Sequence, residues 1–149
     1  MAARAFLILV LFIVPATIGC GAAVSEKKVD QNKKVDPDEA EVRQTVERYI
    51  SAVKDGKINL MWSMLSTGLR EKLAEDGVDQ AEFVRRAEHE ISQTEELQGP
   101  IKRVNFAKIR IVGVEAKVDF SLVREAGTIQ KKYTLKKVSN RWRIDNLQE

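Results

Sequence analysis

One cysteine and one histidine in 149 residues leave little material for ligand or nucleophile chemistry. A single cysteine forms no disulfide framework. One histidine without a second thiol assembles no transition-metal site of the usual ligand type, so no metal and no other cofactor is expected. The chain also lacks a glycine-rich phosphate loop and a Gly-x-Ser-x-Gly elbow, which removes the commonest nucleotide-binding and serine-hydrolase signatures. Proline occurs three times, at 15, 37 and 100, each time where one kind of segment gives way to another.

The first boundary closes an export-like segment. Met1 to Arg4 carries one positive charge, Ala5 to Val14 is an unbroken apolar run, and Pro15 to Gly19 is short and small. The strongly apolar part would rise only about 15 Å as a helix, half of a ~30 Å hydrocarbon core. An uncleaved anchor over Ala5 to Ser25 is therefore the weaker reading. The stretch "TIGC" resembles the lipobox of bacterial lipoproteins, in which a small residue precedes a cysteine that is acylated and becomes residue one; Thr17 stands where a leucine is usual. The resemblance implies a signal peptide over 1–19, removed in the mature protein, and a lipidated Cys20. Ordinary cleavage after Ala23 is the alternative, and it would discard the cysteine. Two or more acyl chains hold a protein stably on its membrane. The expected location is thus the cell membrane or outer membrane, lipid-anchored, facing periplasm or exterior.

Residues 21–36 read "GAAVSEKKVDQNKKVD", with Lys-Lys-Val-Asp twice and no apolar periodicity, so 20–36 is expected to be a lipidated flexible tether. The domain is expected over 37–149. Its charge is uneven: residues 37–100 carry 8 basic and 14 acidic side chains, residues 101–149 carry 12 and 5. Export removes nucleic acid as a partner for the basic half. An acidic helical layer beside a basic sheet accounts for the asymmetry.

Asp36-Pro37-Asp38-Glu39 is a helix start, with an acceptor at the cap, proline at the first position and acids at the positive end of the dipole. Val42, Val46, Tyr49, Ile50 and Val53 follow at helical spacing, and Gly56 ends a helix over about 37–55. A second is predicted over about 59–66, and a short amphipathic piece with Leu69 and Leu73 runs to Gly77. Asp79 with Glu82 reads as a capping box and Val78 with Phe83 as a hydrophobic staple, opening a third helix to about Ser92. After Gly99-Pro100 the apolar period becomes 2. Val114, Ala116, Val118, Phe120 and Leu122 alternate with polar residues, and turns at Val112-Gly113, Arg124 to Gly127 and Ser139-Asn140 divide the region into four strands. The loops set Phe120 opposite Lys131, Val118 opposite Tyr133, and Leu135 opposite Ile144. The parity switch from Val104 and Phe106 to Ile109 and Ile111 predicts a bulge near Ala107. The expected fold class is α+β, three N-terminal helices packed on a curved four-stranded antiparallel sheet.

"VERYISAVKDGKINLMWSMLS" resembles the opening helices of nuclear transport factor 2-like domains, and "YTLKKVSNRWRIDN" their closing hairpin. "MWSMLSTGLREKLAEDGVDQAEFVRR" is similar to the domain of this fold preceding the transpeptidase in methicillin-resistance penicillin-binding proteins. The resemblance covers most of 37–149. It implies a nuclear transport factor 2-like, or cystatin-like, cone: a curved sheet wrapped round a long helix, with a pocket at the open end. Tyr49, Trp62, Phe120, Lys131, Tyr133 and Trp142 are the residues expected to line it. Tyr49 matches the place where ketosteroid isomerases of this fold carry an oxyanion-donating tyrosine.

An isomerase would also need a carboxylate. The face expected to point inward, with Asn105, Ala107, Ile109, Ile111 and Val114 at one end and Trp142, Ile144 and Asn146 at the other, holds no Asp or Glu, and Asp119 and Glu115 have the opposite parity. His89 shares its helical side with Arg85 and Arg86 and is expected in solvent. Lys131 and Lys137 interrupt the inward parity of the third strand, either as a wet edge or as positive charge at a pocket mouth. The expectation is a membrane-anchored lipoprotein of the cell envelope, a non-catalytic binding or protein-interaction module for a small molecule or envelope protein. The alternative is a small isomerase or hydrolase of the same fold using Tyr49.

Overall fold

The computed structural model describes residues 36–148. The signal segment, Cys20 and the tether lie outside the described residues. Four helices precede four strands: α1 (Pro37–Lys54), α2 (Ile58–Met64), α3 (Thr67–Glu75), α4 (Gln80–Gln98), β1 (Arg103–Val112), β2 (Glu115–Val123), β3 (Thr128–Val138) and β4 (Arg141–Gln148). The short amphipathic piece is thus a helix in its own right, and the helices number four rather than three. Among the described residues no helix is long and apolar enough to cross a membrane.

The helix ends follow their local chemistry. Asp36 Oδ1 accepts from the Asp38 amide at 2.9 Å, and Pro37 occupies the first turn, where a missing N–H leaves nothing unsatisfied. At the far end Lys57 N–H bonds to Ala52 and Gly56 N–H to Val53, the paired closure that a left-handed residue permits, with Gly56 at φ +62°. Val78 to Leu73 and Gly77 to Ala74 repeat the device at the end of α3. Asp79 caps α4 through the Glu82 amide at 2.9 Å. The expected reciprocal bond from Glu82 is replaced: its carboxylate takes Arg85 and Arg86 instead, which hold it well below the usual range, at about 2. Helix α4 continues six residues beyond the expected Ser92. Gly99, at φ +72°, stops it, and a Cβ there would lie 2.9 Å from Glu125 Cγ. Arg124 reaches across to donate to the Gly99 carbonyl at 2.6 Å, and the Ala126 amide donates to Gln98, which docks the end of α4 on the β2–β3 turn.

The strands form an antiparallel meander in the order β1-β2-β3-β4, with Phe120 opposite Lys131, Val118 opposite Tyr133 and Leu135 opposite Ile144 as the loop lengths predict. The β1 bulge falls between Phe106 and Lys108 and brings Val104, Phe106, Ile109 and Ile111 onto one face against the core. Two expected inward residues, Asn105 and Ala107, are therefore exposed. Val114 is also exposed, because it lies in the turn at Gly113-Val114, outside β2, where its carbonyl accepts from the Lys137 amide while its side chain stays in solvent. A second irregularity, between Thr134 and Leu135, sets Asn146 opposite Thr134 and leaves Asp145 out of the ladder, so Asn146 too faces solvent.

The helices cover one face of the sheet. Val42, Val46 and Ile50 of α1 meet Ala116, Val118, Phe120, Leu135 and Ile144 in the core. Between α2 and α3 the chain clips to β4: Leu65 pairs in parallel with Ile144, and the Ser66 amide donates to the Ile144 carbonyl at 2.7 Å. Ser66 Oγ caps α3 through the Leu69 amide and donates to the Asp145 carboxylate, which gives the displaced Asp145 its partner.

Candidate functional site

The six expected lining residues fall in three places. The first holds Tyr49, Phe120 and Tyr133. Tyr49 projects from the middle of α1, 3 % exposed, and meets Tyr133 of β3 edge-on at 5.8 Å between ring centres. Tyr133 meets Phe120 of β2 at 4.8 Å, and Phe120 meets Phe106 of β1 at 6.0 Å, so an aromatic chain crosses the interior from helix to sheet edge. Arg43, two turns before Tyr49 on α1, covers the far end with its guanidinium 4.4 Å above the Phe106 ring. Lys131 is half-buried in the same row of the sheet, opposite Phe120.

Glu90 of α4 joins this group. It is half-buried, with one carboxylate oxygen away from water, close enough to Tyr49 for its charge to act on the phenol. Burial first, then Tyr133 and the Glu90 charge, push the Tyr49 hydroxyl well above the ordinary tyrosine range. Tyr49 is therefore a neutral donor at any physiological pH. The reading of the sheet face alone missed Glu90, which sits on α4 in the helical series Phe83, Ala87, Glu90, Thr94. That spacing places it on the side of Ala87, the buried residue of the helix.

Trp62 lies elsewhere, stacked on Phe83 at 5.1 Å where α2 meets α4. Trp142 is buried opposite Lys137, under the start of α1. There Lys137 Nζ donates to Asp38 Oδ1 at 2.6 Å and stands 5.6 Å from the Trp142 ring. The lysine holds the Asp38 carboxyl below its usual value, and the carboxylate in turn raises the lysine. The Trp142 indole adds a weaker pull on Asp38 without a hydrogen bond of ordinary geometry. Lys137 is thus neither a wet edge nor a pocket cation; it fastens the first turn of α1 to β3. His89 is exposed. Among the described residues no group of three His, Cys, Asp or Glu side chains could hold a metal ion.

Solved structures resemble this arrangement of helices on an antiparallel sheet. A protein from Campylobacter jejuni, described provisionally as an NTF2-like transpeptidase, superposes with a TM-score of 0.55 at 14 % identity, over 70 % of this chain and 97 % of the other. The fold is nuclear transport factor 2-like. A designed NTF2-fold protein matches at 16 % identity and TM-score 0.49, over 72 % of this chain and 83 % of its own. An NTF-2-like protein of unknown function from Shewanella oneidensis matches at 14 % and 0.46, over 70 % and 92 %. At such identities the likeness concerns the fold. No protein-family model matches the chain, and no curated protein does.

Proposed function

We propose that the mature protein is a membrane-anchored lipoprotein, acylated at Cys20, whose nuclear transport factor 2-like domain binds through its surface and performs no chemistry. The observation that supports the absence of chemistry is the placement of Tyr49. The one tyrosine an isomerase of this fold would use is packed beneath Tyr133 and Phe120 at 3 % exposure, where its hydroxyl has no open approach for a substrate. Metabolic labelling with a fatty-acid probe tests the anchor: the wild type is expected to label and Cys20→Ser is not. Equal labelling of both, or a mature N-terminus at Val24, would refute it.

One observation favours a second reading. Glu90 supplies, from a helix, the carboxylate that the sheet face lacks, beside a neutral phenol. A proton-transfer enzyme needs that pair. Steroid enones, epoxides and small esters would be screened with the wild type, and any turnover repeated with Tyr49→Phe and Glu90→Gln. A loss of ~100-fold or more in both variants, the usual scale for an oxyanion donor or general base, would make the enzyme reading the leading one.

A further inference from the structure

The uncovered face of the sheet is strongly basic. Residues of the parity opposite to the core include Lys108, Arg110, Lys117, Lys132, Lys136 and Arg143, against the carboxylates of Glu115 and Asp119. Those two make ion pairs with Lys117 at 3.5 Å and Lys132 at 3.8 Å. Lys108 and Lys132 stand across from Asp119, and Lys136 across from Glu115, but like charges also meet. Arg110 stands directly across from Lys117, and Lys136 directly across from Arg143. Like charges in directly opposed positions destabilise a sheet. Glu115, beside Lys117 and across from Lys136, and the Ser63 carbonyl, which accepts from Arg143 at 2.7 Å, offset part of this. The cations still outnumber the two carboxylates of the face, and that excess points to an anionic surface outside the fold.

The same face ends in apolar tips. The β1–β2 and β3–β4 turns lie at one end of the meander, joined by a bond from the Lys137 amide to the Val114 carbonyl. Val112, Val114 and Val138 are exposed there by 80, 58 and 37 %. This is also the end at which the chain enters the domain: Asp36 caps α1, and Asp38 in its first turn is held by Lys137 of β3. Asp36 lies sixteen positions after Cys20. A random coil of that length would span ~20 to 24 Å, about two Debye lengths at 0.1 M salt. A domain hung from a lipid by that length, attached at its basic and valine-tipped end, stays within reach of the headgroups.

We infer that the outer face of the sheet and its two hairpin tips dock on the surface of an anionic phospholipid bilayer, with Val112, Val114 and Val138 entering the headgroup region and Arg110, Lys117, Lys136 and Arg141, the exposed first residue of β4 opposite Val138, meeting lipid phosphates. This inference rests on the anchored reading above and adds an orientation to it. Lysine and arginine stems covering the boundary while their heads meet phosphate is the usual behaviour of such side chains at an interface.

The test uses the full-length lipidated chain reconstituted into vesicles of phosphatidylcholine alone and of phosphatidylcholine mixed with phosphatidylglycerol. An environment-sensitive bimane fluorophore is placed at Val114→Cys, or at Ala126→Cys in the exposed turn at the opposite end; acylated Cys20 offers no competing thiol, which labelling of the wild type verifies. The expected result is flotation with both vesicles, with the label at 114 blue-shifted and quenched by headgroup nitroxide lipids only on the anionic vesicles, and the label at 126 unchanged. Arg110→Glu with Arg141→Glu should abolish the shift and lower binding of the Cys20→Ser chain to anionic vesicles at least about 10-fold. The first change sets a carboxylate opposite Lys117 and so does not endanger the fold. Flotation with both vesicles while the label at 114 stays in water overturns the docking face, leaves the anchor standing, and turns the basic face toward an acidic protein. Flotation on anionic vesicles alone, with 114 quenched, overturns the anchor and sustains the docking face. Failure to float on either overturns both, and equal shifts at 114 and 126 overturn the orientation.

Discussion

The two faces of the sheet are built to opposite rules. On the inner face Ala116, Val118, Phe120, Leu135 and Ile144 are fully buried and the rings of Tyr49, Tyr133, Phe120 and Phe106 touch in series, so each residue is constrained by several others. On the outer face Arg110 opposes Lys117 and Lys136 opposes Arg143, arrangements that packing alone would avoid. The difference teaches where selection for folding ends. The inner face serves folding, whereas the outer face carries more positive charge than its ion pairs and the Arg143 bond to Ser63 take up.

The sharpest way to break the comparison is to cut the inner face. Trp142→Ala removes a ring buried under the first turn of α1 and should destabilise the protein by ~3 to 5 kcal/mol in urea unfolding. A cost below ~1 kcal/mol would mean that the helices are not bound to this face as described. Gly99→Ala tests the docking of α4. It forces a side chain into φ +72° and ψ 175°, a region almost confined to glycine, and against Glu125, so a loss of ~2 to 3 kcal/mol is expected. A change within ~0.5 kcal/mol would show that the end of α4 is free of the β2–β3 turn.

Tyr49→Phe is milder, about 1 kcal/mol if the hydroxyl makes a buried hydrogen bond. Its pH signature is more telling. The folded-state value of Tyr49 is raised above the ordinary 10.0, so its contribution is intact below pH 10 and is lost as pH climbs from there toward the folded value. Stability of the wild type should therefore fall more steeply than that of Tyr49→Phe above pH 10; parallel curves would place the phenol in water. The smallest effect belongs to the outer face. Arg110→Thr should leave stability unchanged or raise it by up to ~0.5 kcal/mol, since it relieves the pair with Lys117. A loss beyond 1 kcal/mol would mean that Arg110 serves the fold after all.

Local signals were readable where they act through the nearest few residues. Asp36-Pro37 and Asp79 mark their helices, the turns set the strand register, and the parity switch around Ala107 marks the first bulge. Asn105, Ala107 and Val114 differ for local reasons, the bulge and the turn; the other misreadings have tertiary causes. Asp145 leaves the β4 ladder to meet Ser66, which lies 79 residues earlier. The last turns of α4, Gln93 to Gln98, have one large apolar residue, exposed Leu97, and are held by Arg124 and Ala126 of a distant turn. Glu90 reaches the aromatic chain from a helix that strand parity does not describe. The expected lining residues Trp62 and Trp142 are interior aromatics, but each belongs to its own seam, α2 with α4 and α1 with β3.

The central claim is that the working surface is the outer face and the hairpin tips, not the aromatic interior. Hydrogen exchange on the full chain bound to anionic vesicles, compared with the Cys20→Ser chain free in solution, tests it directly. The account predicts slowed exchange confined to residues 110–117 and 134–143, with the amides around Tyr49 and Glu90 unchanged. Slowing at Tyr49 and Glu90, with the hairpin tips exchanging as freely as before, would contradict it.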